Sequence, residues 1–353
     1  MSDIEKTPPV GTRLVTDMAG RKVIVKERVE KVFGYNPMIT ALMYALAPEK
    51  IAGHNFPPSP LELQVAPQSY LDLPVLGVLG ALFGGGKQTL NTEAIRQAQP
   101  DVILSMTLSK IDEPEVQMAE NLQKELDIPV LIFDGALERS AEVIRRVGLV
   151  IGVEDRAEML ADYFDKKLDI IQRTVATIPK SSRHTVYYAQ TPSGLHTEPR
   201  GARHGEVIDL AGGINCAETY ELRGCGQTPI SADDLLRWNP EVILVMSDEG
   251  NSEDRLLTRM TDDPFWSCLE AVKRGTCYEP PGLLYSWFDR PPSINRLIGV
   301  IWLSGVLYPQ QFNWDMADEV RCFYRLFYRM ELTSEEIDSL LANPLVVKHK
   351  KTA

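Results

Sequence analysis

The stretch from Gln190 to His204 gathers His196, Arg200, Arg203 and His204 in a chain whose formal net charge is -12. Arginine forks match the oxygens of carboxylates or catecholates, and imidazole completes a metal's coordination sphere. Such a concentration of basic groups in an acidic protein points to an anionic ligand, a metal chelate among the candidates. The competing reading is a solvated loop whose cations balance neighbouring acids, with His204 capping a helix that starts at Gly205. A second stretch, Tyr285-Ser286-Trp287-Phe288-Asp289-Arg290, runs into Pro291-Pro292. The rigid prolines predict a loop held away from the core, whose aromatic faces suit a flat macrocycle, a catechol ring or a cation. Its alternative is a small apolar cluster beneath the loop. Tyr35, His54, Lys87 and Tyr188, at strand ends or in loops, complete the candidate ligand set with Tyr285, Trp287, Phe288 and Arg290.

Other chemistries find little support. Gly84-Gly85-Gly86-Lys87 is followed by Gln88 and lacks the full phosphate-loop pattern. Neither a GxSxG elbow nor an HExxH pair occurs, so no catalytic residue and no resident metal or cofactor is expected. A metal-cluster or chelatase-type enzyme would need ligating Cys or a His cluster, and none is visible. A direct Mn/Zn receptor would need about three His and a carboxylate, and only His54, His196 and His204 fall near the predicted cleft. The acidic balance argues against a nucleic-acid partner. The five cysteines (Cys216, Cys225, Cys268, Cys277, Cys322) form no CxxC. A local bridge is possible within each of the nine-residue spacings, 216–225 and 268–277, and isolated buried thiols are the favoured reading. No apolar run is long enough to span a bilayer. The opening Met1-Ser2-Asp3-Ile4-Glu5-Lys6 is polar and acidic, unlike an export signal.

The elements that carry these residues alternate. Apolar strand-like runs and amphipathic helices succeed one another through both halves, which predicts parallel sheets covered by helices. Ligand loops then belong beyond the carboxyl ends of the strands. The expected organisation is an N-terminal lobe over 13–137, a helical connector over 138–179, a C-terminal lobe over 180–310, and outer helices over 311–345. Within the connector, Leu160, Phe164, Leu168, Ile171, Val175 and Ile178 recur at helical spacing. About 24 residues at a rise of 1.5 Å give a rod of roughly 36 Å, stiff enough to limit lobe closure.

One signature appears twice. Asn91-Thr92-Glu93-Ala94-Ile95 leads to Gln99-Pro100-Asp101 and the run Val102-Ile103-Leu104. Ile230-Ser231-Ala232-Asp233-Asp234-Leu235 leads to Asn239-Pro240-Glu241 and Val242-Ile243-Leu244. Each reads as a short helix with an acid in its first turn, a proline stop and a buried strand. Together with Val15-Thr16-Asp17, Gly20-Arg21, Ala211-Gly212-Gly213, Phe265-Trp266 and Leu307-Tyr308-Pro309, this repeat resembles the helix-linked periplasmic substrate-binding proteins of ABC importers. The likeness covers roughly residues 13 to 343 and leans to the metal-chelate branch, which serves iron-siderophore, haem and cobalamin import. The resemblance implies an α/β fold of two doubly wound parallel-sheet lobes joined by a long rigid helix. It implies a monomer that holds an iron chelate between its lobes, and a periplasmic or surface-anchored location. The implied partners are a membrane permease and its ATPase, with Glu93 and Asp233 as docking acids, although Asp233 stands where the family usually carries Glu.

Overall fold

The computed structural model describes residues 8–78, 90–108, 110–221, 226–246 and 255–342 of the 353-residue chain. The chain divides into two compact units after Lys166. The first opens with an antiparallel hairpin, β1 (Thr12–Thr16) and β2 (Lys22–Lys26). Its turn accounts for the Asp17, Gly20 and Arg21 pattern. Gly20 takes a φ of +79°, a left-handed conformation that a Cβ would penalise. The Asp17 carboxylate accepts from the backbone of Ala19 and Arg21 and from the Arg21 guanidinium. It also accepts from the backbone of Ile132 at 3.2 Å. One buried carboxylate therefore closes the hairpin and fastens it to the sheet.

That sheet is parallel, with strands β3 (Val32–Gly34), β4 (Val102–Thr107) and β5 (Val130–Asp134) in the order β3-β4-β5. Its strands are apolar along nearly their whole length, as parallel strands buried on both faces are. The helices of this unit are α1 (Pro37–Leu46), α2 (Pro60–Val65), α3 (Gln68–Leu71), α4 (Thr92–Ala98), α5 (Glu113–Leu126) and α6 (Ser140–Ile151). Asn36 caps α1 by accepting from the Ile39 backbone, Pro37 opens it, and every residue from Met38 to Leu46 is buried. The Asn36 amide also donates to the Met106 carbonyl at 2.7 Å, which joins the ends of β3 and β4.

Helix α7 (Glu154–Ala176) crosses the division at Lys166. Leu160, Phe164, Leu168, Ile171 and Val175 on α7, and Ile178 just beyond it, are all buried, as their spacing predicts. Gly148 of α6 lets the two helices meet, because a Cβ there would lie 2.1 Å from that of Ala157. On the exposed side Arg145 bonds Glu158, Asp162 and Asp165 together.

The second unit holds a four-stranded parallel sheet in the order β11-β10-β6-β8. The strands of this unit, in that sheet and outside it, are β6 (Thr185–Ala189), β7 (His196–Thr197), β8 (Ile214–Asn215), β9 (Thr228–Pro229), β10 (Val242–Val245), β11 (Cys277–Tyr278), β12 (Gly282–Leu283) and β13 (Tyr285–Ser286). Strand β7 pairs with β9, and β12 with β13, as short antiparallel ribbons. The helices are α8 (Glu206–Leu210), α9 (Ala232–Trp238), α10 (Leu256–Arg259), α11 (Glu270–Arg274), α12 (Arg296–Leu307), α13 (Met316–Tyr328) and α14 (Ser334–Leu341). Cys216, Cys268, Cys277 and Cys322 are free thiols, so no 268–277 bridge exists; Cys225 lies outside the described residues.

The loop before α12 departs from expectation. Trp287 and Phe288 are fully buried rather than held out by Pro291-Pro292. The Trp287 indole donates to the Tyr324 hydroxyl of α13 at 2.8 Å, and that hydroxyl donates to the Leu283 carbonyl at 3.1 Å. The C-terminal helices, expected merely on the outside, thus supply the anchor that draws these aromatics inward. Trp287 is unavailable as a stacking face. Gly299 of α12 admits the loop backbone, since a Cβ there would meet the Trp287 carbonyl oxygen at 1.8 Å. We expect Gly299→Ala to lower unfolding free energy by about 1–3 kcal/mol through overpacking. Trp287→Ala should lower it by about 3–5 kcal/mol. Denaturant titration by circular dichroism checks both, and unchanged midpoints would show that this loop is not part of the core.

Candidate functional site

Beyond the carboxyl end of β6 the second unit buries a cluster of charged groups. Gln190 and Glu198 flank β7 and are each 0% exposed. Their positions follow from pairing: the Gln190 backbone donates to the His196 carbonyl at 2.8 Å, and Thr197 pairs with Thr228. His204 sits on the 3-10 turn that leads into α8. Asp289 and Arg290 follow the buried Trp287-Phe288 anchor.

One oxygen of Glu198 gathers three donors: the Gln190 amide at 3.0 Å, the Gln227 backbone at 3.1 Å and the Arg290 guanidinium at 2.9 Å. His204 Nδ1 lies 2.8 Å from Asp289 Oδ1. Arg290 Nε stands 3.6 Å from the other Asp289 oxygen. Deeper, Arg296 at the start of α12 pairs with Glu206 at 3.2 Å and donates to the Arg203 carbonyl. Buried ions persist only when paired and hydrogen-bonded, and these are. Burial works against charge on His204, but the Asp289 charge and hydrogen bond, then the Glu198 charge, hold the imidazole above its ordinary value. Burial also opposes charge on Asp289; the His204 charge and hydrogen bond, together with Arg290, hold that carboxyl below its ordinary value. Burial raises Glu198.

Sequence reasoning located this loop pair but missed Glu198 and Asp289. The signal lay in acids set within apolar or proline-rich stretches, Thr197-Glu198-Pro199 and Trp287-Phe288-Asp289. Of the residues expected to meet ligand, His204 and Arg290 belong to the cluster. Tyr188 is buried with its ring 4.5 Å from that of Phe288, packing beneath the loop. His196 is half-buried and its Nδ1 meets the Thr191 hydroxyl at 3.1 Å. Arg200 reaches the Asn215 carbonyl and forms an exposed pair with Glu218 at 2.6 Å. Arg203 and Tyr285 are half-buried, and the Tyr285 ring lies 6.4 Å from that of Tyr328.

In the first unit His54 is a structural residue rather than a ligand group. It is 2% exposed, its Nε2 bonds the Tyr70 carbonyl at 2.8 Å, and its ring meets the Tyr70 ring edge-on. Tyr35 is buried after β3, and burial pushes its hydroxyl above the ordinary value. Lys87 and the 83–87 loop lie outside the described residues. Near the end of β4, Glu115 in the first turn of α5 accepts from the Thr107 hydroxyl at 3.4 Å. Burial raises Glu115; the Thr107 hydrogen bond works against that rise and the Asp112 charge works with it.

A carboxyl raised on folding binds its proton more tightly in the native state, so stability falls as pH climbs from the unfolded pKa through the folded one. Glu115→Gln should therefore stabilise the protein at neutral pH, with the gain shrinking as pH drops into the ordinary carboxylate range. Melting temperatures of both proteins across that range check the sign. A gain that instead grows toward acid pH would contradict it.

The repeated helices α4 and α9 match closely. Each is capped by a side chain bonded to the N3 backbone, Asn91 to Ala94 and Ser231 to Asp234. Each ends in a left-handed residue, Gln99 at φ +49° and Asn239 at φ +39°. Buried, half-buried and exposed residues fall in the same order along 91–100 and 231–240. Glu93 and Asp233 are both exposed. Asp234, not Asp233, closes the capping box with Ser231, which leaves Asp233 outside the cap.

The chain as a whole is similar to known proteins. Residues 82–282, more than half of the chain, match the family described as periplasmic binding protein. The molybdate-binding protein MolA of Haemophilus influenzae is 25% identical over 274 residues, which cover 69% of this chain and 72% of that protein. Among solved structures, an ABC transporter solute binding protein from Sulfurospirillum deleyianum is similar at 28% identity and a TM-score of 0.83, covering 93% of this chain and 99% of that one. Helicobacter pylori CeuE with Ni(II) bound shares the fold at a TM-score of 0.68 and 16% identity, over 94% of this chain and all of its own. The chain belongs to the periplasmic binding protein family, as a helix-linked, non-enzymatic substrate-binding component of an ABC transporter.

Proposed function

We propose that the protein captures an anionic metal chelate, of the iron-chelate class, and hands it to the permease and ATPase of an importer on the periplasmic side of the membrane. The observation that carries this reading is the joining of two loops by the Arg290–Glu198 and His204–Asp289 contacts. Those loops bear Arg200, Arg203, His196 and Tyr285 at least partly open to solvent. A chelate presents carboxylate or catecholate oxygens to arginine forks and a flat apolar edge to tyrosine. The relatives bind different cargo: one is named for molybdate and another holds Ni(II). An anionic complex agrees with the basic side chains that this chain carries.

Arg203→Ala or Arg200→Ala should weaken binding of an anionic ferric chelate by about 1.5–3 kcal/mol, the range for a lost charge-assisted hydrogen bond. Calorimetric titration reads the effect. Unchanged affinity in both variants would place the ligand elsewhere.

Glu93 and Asp233 serve as the docking acids in this reading, supported by the matched exposure of α4 and α9. An acid in a helix's first turn also complements the helix dipole, so charge reversal separates the two roles. Glu93→Arg combined with Asp233→Arg should leave ligand affinity intact and abolish ligand-dependent transport by the cognate permease. Transport at the unmodified rate would reduce both acids to helix starters.

A further inference from the structure

We propose that Tyr324 and Tyr328 of α13 are positioning residues for ligand capture, because their hydroxyls hold the turn that presents Tyr285. This rests on the reading of the chain as a chelate receptor, and its contacts lie beneath the ligand loops. The two tyrosines stand one turn apart on one face of α13, with ring centroids 5.6 Å apart. The Tyr324 hydroxyl accepts from the Trp287 indole and donates to the Leu283 carbonyl at 3.1 Å. The Tyr328 hydroxyl donates to the Asn295 side-chain oxygen. The Asn295 amide in turn donates to the Tyr285 carbonyl at 2.9 Å. Tyr324, Tyr328, Trp287 and Asn295 are all buried. One helix thus reaches, directly or through Asn295, the two carbonyls on either side of Leu284.

Leu284 is the reason the turn needs such a clasp. Its φ is +64°, a left-handed conformation that a bulky side chain keeps only when its surroundings impose it. It joins β12 to β13, which pair only as Gly282 with Ser286 and Leu283 with Tyr285. So short a ribbon has little stability of its own, and the constraint comes from α13. Burial raises the Tyr324 hydroxyl above its ordinary value, so it stays protonated and able to donate. Without the two hydroxyls the turn is free to relax toward ordinary backbone angles and carries Tyr285 with it. A loop fixed before the ligand arrives spares binding the entropy of ordering it.

The test uses the full chain in Tyr324→Phe and Tyr328→Phe, each of which removes one oxygen and keeps the packed ring. Hydrogen exchange without ligand should show the backbone amides of 282–288 exchanging roughly tenfold faster in each variant, the size of one lost buried hydrogen bond. The amides of β6 and β10 should keep their rates. Calorimetric titration with a ferric tris-catecholate should show affinity reduced by a similar factor. Tyr308→Phe is the control, since its hydroxyl accepts from the His184 backbone at 3.2 Å, at the amino end of β6. It should lower the melting temperature and leave both readouts unchanged. Unchanged exchange in both tyrosine variants overturns the proposal. Faster exchange with unchanged affinity overturns it too, because the clasp then serves the fold alone. If Arg200→Ala and Arg203→Ala weaken binding while the tyrosine variants do not, the positioning role fails and the receptor reading stands. Should the ferric chelate not bind the unmodified protein, that reading fails instead, and molybdate becomes the probe by which the same variants decide. Should Tyr324→Phe fail to fold, Tyr328→Phe decides alone.

Discussion

The Glu198 carboxylate is the contact on which the second unit's candidate site depends. It takes the Gln190 amide from the end of β6, the Gln227 backbone just before β9 and the Arg290 guanidinium from the loop before α12. Three segments far apart in sequence are therefore held by one buried group. Removing one partner of such a pair leaves an uncompensated charge, at a cost of about 3–5 kcal/mol. The same contact fixes the loops that carry Arg200, Arg203 and Tyr285. Asp17 does a comparable job in the first unit, where it joins a hairpin turn to β5.

Both units place polar chemistry beyond the carboxyl ends of parallel strands, where backbone groups and helix starts are accessible. In the first unit the strand ends carry Tyr35, Thr107 and Glu115; in the second they carry Gln190, with Glu198 and His204 in the loop that follows. The repeat of α4 and α9 adds a second correspondence, with the acid of each first turn left exposed. Matched helix caps explain why each helix starts where it does. They do not require an acid at Glu93 or Asp233, since Asn91 and Ser231 already satisfy the N3 backbone.

Much of this was legible in the sequence. The stripe on α7 could be read because a helix buried on one face leaves a regular apolar spacing. The duplicated helix and strand could be read because caps, prolines and strand runs are local signals. The burial of Trp287 could not, because its cause is the Tyr324 hydroxyl on α13, a contact between segments that no local pattern announces. The role of Glu198 was hidden for the same reason. In sequence it is one acid among several basic residues, and its partners come from Gln190, Gln227 and Arg290. His54 looked like a ligand group until the Tyr70 carbonyl was found to occupy its ring nitrogen.

The central proposal is that this chain is the receptor for an anionic ferric chelate. Native mass spectrometry of the protein mixed with an equimolar panel of ferric chelates and free molybdate tests it most directly. The account predicts one dominant complex per chain, whose added mass is that of an intact ferric chelate. A spectrum in which only molybdate adds mass, with every chelate left unbound, would contradict it.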